Sequence, residues 1–396
     1  MSTSSPVFTK NNLDALNRPT GQAHGLPPQA YYTQEAFEHE RQHAFKHRWL
    51  PAAFGASLPE IGSVYPTTYA GWELVFVRGK DERVRCFHNI CRHRGTKVVQ
   101  EAGVVRNMAC PWHAWAYGLD GKLLATPNIG GRGVHEVVEL EKETHGLLEV
   151  RCEQWMDLLF VNIDGEAVPF DEYIAPIELS LKPYDRSKLR HGAFGRRLKA
   201  QANWKIVIEA GTEGYHLPVI HPKLNQPKGY EYTVGGSTYC LQAQFMADNY
   251  RNSTLGGTRE GASGVQFEKF PHLKEAFERN DPMPLKHYYL PPSAMVGVLP
   301  DMIGIALYVP VSVNETAILR SYYFNGDSAT RPELAERRQK VAEAWDEIGG
   351  EDMQVMENAQ RMLGLRDELA VGTRFSPYWE SGVHNFQKFY VDMFKQ

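Results

Sequence analysis

The chain has 396 residues, of which 42% are apolar, 11% aromatic and 23% charged, a composition typical of a globular protein with room for two domains. Its 43 Lys and Arg against 47 Asp and Glu give a net charge of −4, so no basic excess is available to neutralise nucleic-acid phosphates. Five cysteines are too few for a disulfide framework in a chain of this size and indicate a reducing compartment.

The N-terminal 22 residues are polar and lack the apolar core of a secretory signal. The longest apolar stretch, residues 290–313, is interrupted by four residues of Pro and one of Asp, which excludes a membrane-spanning helix there. We therefore expect a cytoplasmic protein. Within the apolar stretch the sequence predicts two strands joined by a turn.

Residues 30–50 predict a helix. Aromatic and basic side chains recur every four residues from Phe37 to Trp49 and would share one face. The hydroxyl of Thr33 stands where it could cap the first turn. We interpret this as a docking helix, which together with the preceding residues makes an N-terminal segment over 1–48 that packs on the catalytic part of the chain.

Residues 49–165 consist of short alternating runs such as GWELVFVRG and VRCFHNI, which flank the turn residues Lys80-Asp81-Glu82. Alternation of apolar and polar residues predicts strands, and turn residues between two such runs predict a hairpin. The pattern indicates a small all-β domain.

Residues 166–396 mix helical and strand patterns. Residues 204–215 predict a helix, residues 294–324 predict strands, and residues 332–365 predict a long helical stretch broken at Gly349-Gly350. This order predicts an α+β domain in which helices group against a mainly antiparallel sheet.

Two short motifs in the β domain, C-x-H and C-x2-H, contain Cys91, His93, Cys110 and His113 and are separated by sixteen residues. Each close pair fixes two ligands with few free dihedrals, so the two loops can converge on one metal. A structural zinc site is an alternative, but such sites usually pair Cys with Cys and His with His. One Cys and one His from each loop suits a two-iron cluster held by thiolates on one iron and imidazoles on the other. The chemistry indicated is one-electron transfer.

The flanking segments FHNICRHRG and CPWHAWAYGLDGKL resemble the same stretches of Rieske oxygenases. The resemblance implies a Rieske [2Fe–2S] cluster in which Cys91 and Cys110 bind one iron and His93 and His113 bind the other.

Two positions next to these ligands depart from the pattern of the family. Many members read CPYHGW where this chain has Trp112 and Ala114, so a hydrogen bond from the usual Tyr to the cluster is not expected here. The remaining cysteines have no partner at ligand spacing and are interpreted as small core residues; they are Cys86, Cys152 and Cys240.

A second set of metal ligands is indicated by NWKIVIEAGTEGYHLPVIHP. His216 and His221 are five residues apart and would point about 140° away from each other on an unbroken helix. Pro218 predicts a break that lets His221 turn back toward His216. Two imidazoles and one carboxylate with open positions suit Fe(II) oxygen chemistry.

The carboxylate is sought in GGEDMQVMENAQRMLGL. From spacing alone, Glu351-Asp352 is explained by charge complementarity at the start of a helix that opens after Gly349-Gly350. In Rieske oxygenases, however, a segment like EDxxxxExxQ follows the two histidines, and its Asp binds the iron. The resemblance thus implies Asp352 as the third ligand, with Glu351 the less favoured choice.

Glu213 stands three residues before His216 and could accept a hydrogen bond from the imidazole N–H that faces away from the metal. The resemblance implies a catalytic role: most of the family has Asp here, bridging this histidine to a cluster histidine of the neighbouring subunit. Branches that oxidise carnitine- or betaine-like amines carry Glu. Glu209, four residues earlier, is interpreted as a supporting helix charge, with a proton relay as the alternative.

The resemblance covers nearly the whole chain and implies the catalytic α subunit of a Rieske non-haem iron oxygenase, with a [2Fe–2S] cluster and a mononuclear Fe(II). It implies an all-β Rieske domain, a helix-grip-like α+β catalytic domain, and a head-to-tail homotrimer with or without a β subunit. The sequence contains no G-x-G-x-x-G loop, so NAD(P)H-derived electrons are expected from a separate reductase, with or without a ferredoxin.

The substrate is expected to be a quaternary or N-methylated amine, hydroxylated or oxidatively demethylated. This expectation rests on Glu213, on the dipeptide His221-Pro222 and on the lack of an Arg near the motif. A cationic amine could be held by aromatic faces, and the candidates, for which core packing is the alternative, are Tyr230, Tyr232, Tyr288 and Tyr289.

Two other functions stay open. The first is an oxygenase of aromatic rings, acting on aromatic carboxylates or similar compounds in aromatic catabolism. The second, of a different class, is a Rieske electron carrier or zinc-stapled binding protein without oxygenase activity. The length of the chain argues against a carrier, because His216, His221 and Asp352 would then have no task.

Overall fold

The computed structural model describes residues 7–221, 231–234, 241–245, 267–270, 285–299 and 301–395. The chain divides into two compact units, one made of residues 45–170 and the other of residues 1–44 and 171–396. Among the helices of the described ranges, none combines the length and the apolar character needed to cross a bilayer.

The unit of residues 45–170 is a β structure with two antiparallel sheets. A seven-stranded sheet has the order β1-β10-β9-β4-β3-β2-β5, and a three-stranded sheet has the order β6-β7-β8. The strands are β1 Leu50–Phe54, β2 Ser63–Tyr69, β3 Trp72–Arg78, β4 Val84–His88, β5 Gly103–Val104, β6 Met108–Ala109, β7 Ala116–Tyr117, β8 Leu123–Ala125, β9 Glu149–Trp155 and β10 Leu158–Asn162.

Strands β3 and β4 form the hairpin predicted around Lys80-Asp81-Glu82, with Arg78 paired to Val84. Inward-facing side chains of these strands, among them Val77 and Phe87, belong to one buried apolar cluster. Cys91 and Cys110 lie in the same cluster. The two loops that carry the Cys/His motifs are therefore fixed to the domain core by their cysteines.

The other unit is built on an eight-stranded antiparallel sheet of order β11-β18-β17-β16-β15-β14-β13, with β12 also paired to β18. Its strands are β11 Arg190–Phe194, β12 Leu198–Ala200, β13 Glu231–Val234, β14 Leu241–Phe245, β15 Leu285–Leu290, β16 Ala294–Val298, β17 Met302–Ser312 and β18 Glu315–Phe324. Its helices are α1 Lys10–Leu16, α2 Gln29–Tyr32, α3 Gln34–Glu40, α4 Phe170–Leu181, α5 Trp204–Gly211, α6 Leu217–Ile220, α7 Ala335–Glu368 and α8 Ser381–Asp392.

The sheet and its helices confirm the α+β prediction for this part of the chain. The apolar stretch 290–313 forms β16 and β17 with a turn between them, as predicted. Helix α7 contacts α2, α5 and the edge of the sheet formed by β11, β12 and β18. The catalytic residues sought on α5, α6 and α7 are thus carried by elements of one unit.

Two predicted helices are shorter in the structure. The helix expected over 30–50 is divided into α2 and α3, with Thr33 capping α3 through a hydrogen bond from the Ala36 amide. It ends at Glu40, where a π-helical turn begins, and Trp49 lies beyond it. The helix expected over 204–215 ends at Gly211. In both cases periodicity extended past the residues that keep the helical hydrogen bonds.

The predicted helix break at Gly349-Gly350 is wrong. Helix α7 runs through both glycines without interruption for 34 residues. Gly349 is buried, and a Cβ there would lie 2.1 Å from Nη2 of Arg320. Close packing with Arg320 accounts for this glycine, and the rest of the helix outweighs the local cost of about 1 kcal/mol per glycine.

Candidate metal centres

The Cys/His motifs lie in two loops, one after β4 and one between β6 and β7. The structure brings their side chains together: the rings of His93 and His113 are 4.5 Å apart between centroids. Cys91 and Cys110 are each 3% exposed. Burial, with a smaller contribution from Cys91, raises the pKa of the Cys110 thiol.

The donor set of this first group of residues fits a Rieske cluster. Two buried thiols and two adjacent imidazoles converge, and Nδ1 of His113 is buried without a hydrogen-bond partner among the described residues. Burial, helped by His113 and Arg94, lowers the pKa of His93 and so favours the neutral imidazole that ligates iron.

Tyr117 supplies a hydroxyl to this group from β7. Its oxygen lies 3.2 Å from Sγ of Cys91 and accepts a hydrogen bond of 3.0 Å from the backbone amide of Arg92. Hydrogen bonds around cluster sulfurs tune the reduction potential. This contact, which sequence reasoning missed, stands beside the two positions that depart from the family pattern.

Those two positions have local explanations. Ala114 adopts a φ of 58°, a left-handed conformation that glycine takes at no steric cost, so the Gly of the CPYHGW pattern would fit this position. Trp112 is 52% exposed and stacks on His113 with ring centroids 4.8 Å apart. The guanidinium of Arg94 lies 4.2 Å above the indole. An exposed aromatic side chain therefore stands next to a candidate cluster ligand.

His216 and His221 flank the single-turn helix α6, the first as its N-cap and the second as its C-cap. The prediction that Pro218 breaks a helix is wrong. Pro218 lies in the first turn of α6, where proline is tolerated. The two rings are 5.2 Å apart between centroids. The short helix thus turns both imidazoles to one side.

Asp352 lies opposite these histidines on α7. Its Oδ1 is 3.1 Å from Nε2 of His221 and 3.6 Å from Nε2 of His216. One ligand atom from each residue lies within 4.8 Å of the others. Since α7 is continuous, Asp352 is in the middle of a helix and the interpretation of a helix N-terminal charge does not apply. Two imidazoles and one carboxylate fit a mononuclear Fe(II).

A carboxylate contacts Nδ1 of each histidine, on the side of the ring away from Asp352. Oε1 of Glu213 is 2.5 Å from Nδ1 of His216, and Oε2 of Glu351 is 2.7 Å from Nδ1 of His221. Glu213 lies in the turn between α5 and α6, where it also accepts from the amides of Tyr215 and His216. Both histidines are thereby oriented with Nε2 toward Asp352.

His221 is 1% exposed. Burial by itself lowers its pKa, but the carboxylates of Asp352 and Glu351 outweigh burial and raise the pKa. The position is therefore suited to a cation, because two carboxylates and one deeply buried imidazole meet there.

A cavity of about 160 Å³ opens beside these residues, between the sheet and α7. On the sheet side, small residues of β17 lie opposite large residues of β18. Gly304 pairs with Tyr322, and Ala306 pairs with Arg320. Residues one and two turns apart on α7 line the other side. The lining side chains that bear on the chemistry are His287, Tyr308, Arg320, Tyr322, Trp345 and Asp352.

Arg320 was not found from the sequence, which showed no Arg near the histidine motif. It reaches the cavity from β18, about a hundred residues later. The available signal was an Arg in an inward position of the alternating run Ile318, Arg320, Tyr322.

Glu209 lies behind the site rather than in the metal group. It accepts hydrogen bonds from the Tyr31 hydroxyl at 2.6 Å and from Gln387 Nε2 at 2.9 Å. Burial raises the pKa of Glu209 to about 7. Glu209 also lines a second cavity together with Glu213, His216 and Asp352, and its role as a supporting charge or as a proton relay stays a prediction.

The other described residues of the motifs named from the sequence cap a helix or lie in the core. Asn203 caps α5 by accepting from the amide of Lys205. Tyr288 and Tyr289 are buried in the core, with hydroxyls directed to the carbonyls of Ser180 and Pro292. Cys86 is buried, and Cys86 and Cys152 are free thiols. The side chains of Tyr230, Tyr232 and Cys240 lie outside the described residues.

Comparison with known proteins gives two family matches. Residues 186–396 match the ring hydroxylating alpha subunit (catalytic domain) family, and residues 48–140 match the Rieske [2Fe-2S] domain family.

Relatives with assigned activities cover most of the chain. The oxygenase subunit of glycine betaine monooxygenase from Pseudomonas aeruginosa is 25% identical over 93% of this chain and 88% of its own length. The oxygenase subunit of carnitine monooxygenase from Escherichia coli is 26% identical over 93% of this chain and 94% of its own length. A crystal structure of a quaternary ammonium Rieske monooxygenase superimposes with a TM-score of 0.75 at 22% identity, covering 97% of this chain and 98% of that one.

Proposed function

The chain belongs to the family of ring-hydroxylating α subunits, with a Rieske domain ahead of the catalytic domain, and we propose that it oxidises a small quaternary or N-methylated amine as the terminal component of a Rieske oxygenase. Proteins of this kind contain a [2Fe–2S] cluster and a non-haem iron. The observation that carries the proposal is the convergence of His216, His221 and Asp352 at one cavity.

We assign the cluster ligands as Cys91 and Cys110 on one iron and His93 and His113 on the other, in a domain of residues 49–165. The assignment is supported by two buried thiols beside two adjacent imidazoles. When bound, the cluster supplies single electrons.

We assign His216, His221 and Asp352 as the ligands of the mononuclear iron in a catalytic domain of residues 166–396, and residues 1–48 as a segment packed on that domain. When bound, this iron supplies the site at which O2 is activated. The chain's own contribution is positional: α6 and α7 hold three ligand atoms on one side, and Glu213 and Glu351 fix the orientation of the imidazoles.

An amine substrate is supported by the relatives' activities and by the lining of the cavity. Tyr308, Tyr322 and Trp345 present aromatic rings there, and the faces of such rings attract methylated ammonium groups. Burial lowers the pKa of His287 to about 4, so this residue adds no positive charge against a cationic substrate at neutral pH.

We further propose a separate NAD(P)H-dependent reductase, with or without a ferredoxin, and a head-to-tail homotrimer working in the cytoplasm. In this arrangement Glu213 of one chain faces the cluster of the next chain. Glu213 contacts His216 twice, at the backbone amide and at Nδ1. These two contacts support a role of Glu213 as the link between the two metal groups.

The experiment is O2 uptake by the purified protein with a surrogate reductase and NADH, tested with methylated amines and with aromatic acids. The proposal expects O2 uptake in step with formaldehyde where an N-methyl group is removed, or with a hydroxylated amine product where another carbon is oxidised. An aromatic-ring oxygenase, favoured as the second candidate by Arg320 in the cavity, would instead give hydroxylated rings without formaldehyde. Iron analysis adds a check, since an oxygenase needs about three irons per chain and a Rieske carrier about two.

A further inference from the structure

Among the described residues that line the cavity, Arg320 carries a charge that has no part in the candidate metal site. Glu213 is hydrogen-bonded to His216, and Asp352 faces both histidines. The guanidinium of Arg320 comes from β18 and lies against Gly349 of α7. Its side chain is 12% exposed. A cation held in a cavity of about 160 Å³ requires an acceptor, because a buried charge without a partner is costly.

The only carboxylate within ion-pair distance of Arg320 among the described residues is Asp346, and the contact is weak. Oδ1 of Asp346 is 3.5 Å from Nη1 of Arg320, at the limit of a hydrogen bond. The other oxygen of Asp346 accepts a 2.6 Å hydrogen bond from the backbone amide of Arg196. Asp346 therefore leaves most of the donor groups of Arg320 available to the cavity.

Two more donors line the same cavity without partners. The hydroxyl of Tyr322 and Nε1 of Trp345 are buried, and neither has a hydrogen-bond partner within the described part of the chain. Tyr322 is two residues from Arg320 on the same face of β18. Three donors and few acceptors make this part of the cavity complementary to an acceptor-rich anion.

Small residues on both sides give the guanidinium room between the sheet and α7. Its cross-strand partner is Ala306. On α7 the residue against it is Gly349, where any Cβ would collide with it. Gly349 precedes Asp352 by three residues, or roughly 4.5 Å along the helix. A group bound to Arg320 would therefore lie within one helical turn of the iron ligand.

From these contacts we propose that Arg320, assisted by the hydroxyl of Tyr322, binds a carboxylate of the substrate and thereby places the carbon to be oxidised beside His216, His221 and Asp352. The inference deepens the proposed function, on which it rests, by assigning an acidic group to the substrate of the same cavity. The carboxylate belongs to a betaine-like amine or to an aromatic acid, and the two sources differ in their remaining part.

The test uses equilibrium binding to the anaerobic holoenzyme, measured by calorimetry with two matched pairs of probes. Glycine betaine is compared with tetramethylammonium, and benzoate with benzyl alcohol. The wild-type protein is expected to prefer the carboxylated member of at least one pair by about 10- to 100-fold, the range for a hydrogen bond to a charged group. Failure to bind either carboxylated probe overturns the inference.

Arg320→Gln is expected to remove this preference, Arg320→Lys to keep part of it, and Tyr322→Phe to reduce it. Asp346→Asn, which leaves Arg320 its charge, should retain or increase it. Arg331→Gln is the matched control, because Arg331 is an exposed Arg paired with Glu333. If Arg320→Gln does not fold, the Arg320→Lys and Tyr322→Phe proteins carry the comparison.

An unchanged preference in the folded Arg320 variants, or an equal loss of affinity for both members of a pair, contradicts the inference. The proposed function is tested separately by formaldehyde release. Demethylation of both amines by the wild-type protein, without a preference for the carboxylate, refutes the role of Arg320 and leaves the amine oxygenase standing. Oxidation of benzoate alone, with a preference lost in Arg320→Gln, refutes the amine and leaves the role of Arg320 standing.

Discussion

Glu351 and His221 form a hydrogen bond of 2.7 Å between Oε2 and Nδ1. The two residues are 130 positions apart, and the bond fixes which imidazole nitrogen is turned toward Asp352. Glu351, considered from the sequence only as a second choice of ligand, therefore holds a candidate iron ligand in place.

Glu351→Gln is expected to weaken iron binding at the mononuclear site roughly 10- to 100-fold, the usual effect of losing such a carboxylate. Dialysis against increasing chelator, followed by iron analysis, measures it, with the visible spectrum of the cluster as internal reference. Glu368→Gln, an exposed change at the end of the same helix, is the control. Equal iron retention in the variant and the wild type would contradict this role.

Asp352→Ala is expected to abolish binding of the mononuclear iron, because Asp352 is the only carboxylate facing Nε2 of both His216 and His221 within the described ranges. The absorption of the cluster should remain. Iron content is expected to fall by about one iron per chain. Full iron content in the folded variant would refute the ligand assignment.

Assayed with iron in excess, Glu213→Gln is expected to retain both metals and to suppress O2 consumption coupled to substrate oxidation. The amide keeps the size of the side chain but cannot act as the carboxylate that holds Nδ1 of His216. Stopped-flow oxidation of the reduced cluster and O2 uptake measure the loss. Glu333→Gln, a surface change, should behave as wild type, and near-normal turnover of Glu213→Gln would exclude the link between the metal groups.

The Gly349→Ala protein is expected to be less stable than the Gly350→Ala protein by about 1–3 kcal/mol, the cost of over-packing, because its Cβ would lie 2.1 Å from Nη2 of Arg320. The neighbouring Gly350 is the matched control, since a Cβ there meets nothing within 4 Å. Gly350→Ala should stabilise the helix by about 1 kcal/mol. Urea unfolding measures the stability of both variants. Equal effects would show that packing against Arg320 does not require glycine at position 349.

Glu209 is expected to make stability depend on pH. Its pKa is raised from 4.5 to about 7, so the folded protein holds a proton that the unfolded chain releases. Stability attributable to this proton is complete below pH 4.5 and is lost as the pH rises toward 7, by up to about 3 kcal/mol. Unfolding of wild type and Glu209→Gln across this range should show a flatter profile for the variant; parallel profiles would contradict the raised pKa.

The convergence of the candidate ligands within each motif was predictable from the sequence, because these residues lie close together in the chain. Cys91 and His93 are held by one loop, and the pair His216 and His221 by one short helix. Local signals failed where distant residues decide the structure. The glycine pair in α7 has the composition of a helix stop, but Arg320 packs against Gly349 from a strand some thirty residues earlier.

The lining of the cavity was less predictable, since it depends on strand register. Arg320 faces the cavity because β18 pairs with β17 in the register that sets it opposite Ala306. A shift of one residue would turn it to the other face of the sheet. The residues near the histidine motif contain no information about this strand register, so the sequence does not predict that an Arg reaches the cavity.

The uninterrupted course of α7 constrains how this protein can change in length. Trp345, Ile348, Gly349 and Asp352 line one cavity because their spacing matches the turns of a single helix. Inserting or deleting one residue between Trp345 and Asp352 would rotate the carboxylate by about 100° relative to the indole. Insertions and deletions between Trp345 and Asp352 are therefore expected to disrupt the cavity, and an alignment of functional relatives should be free of gaps across this segment.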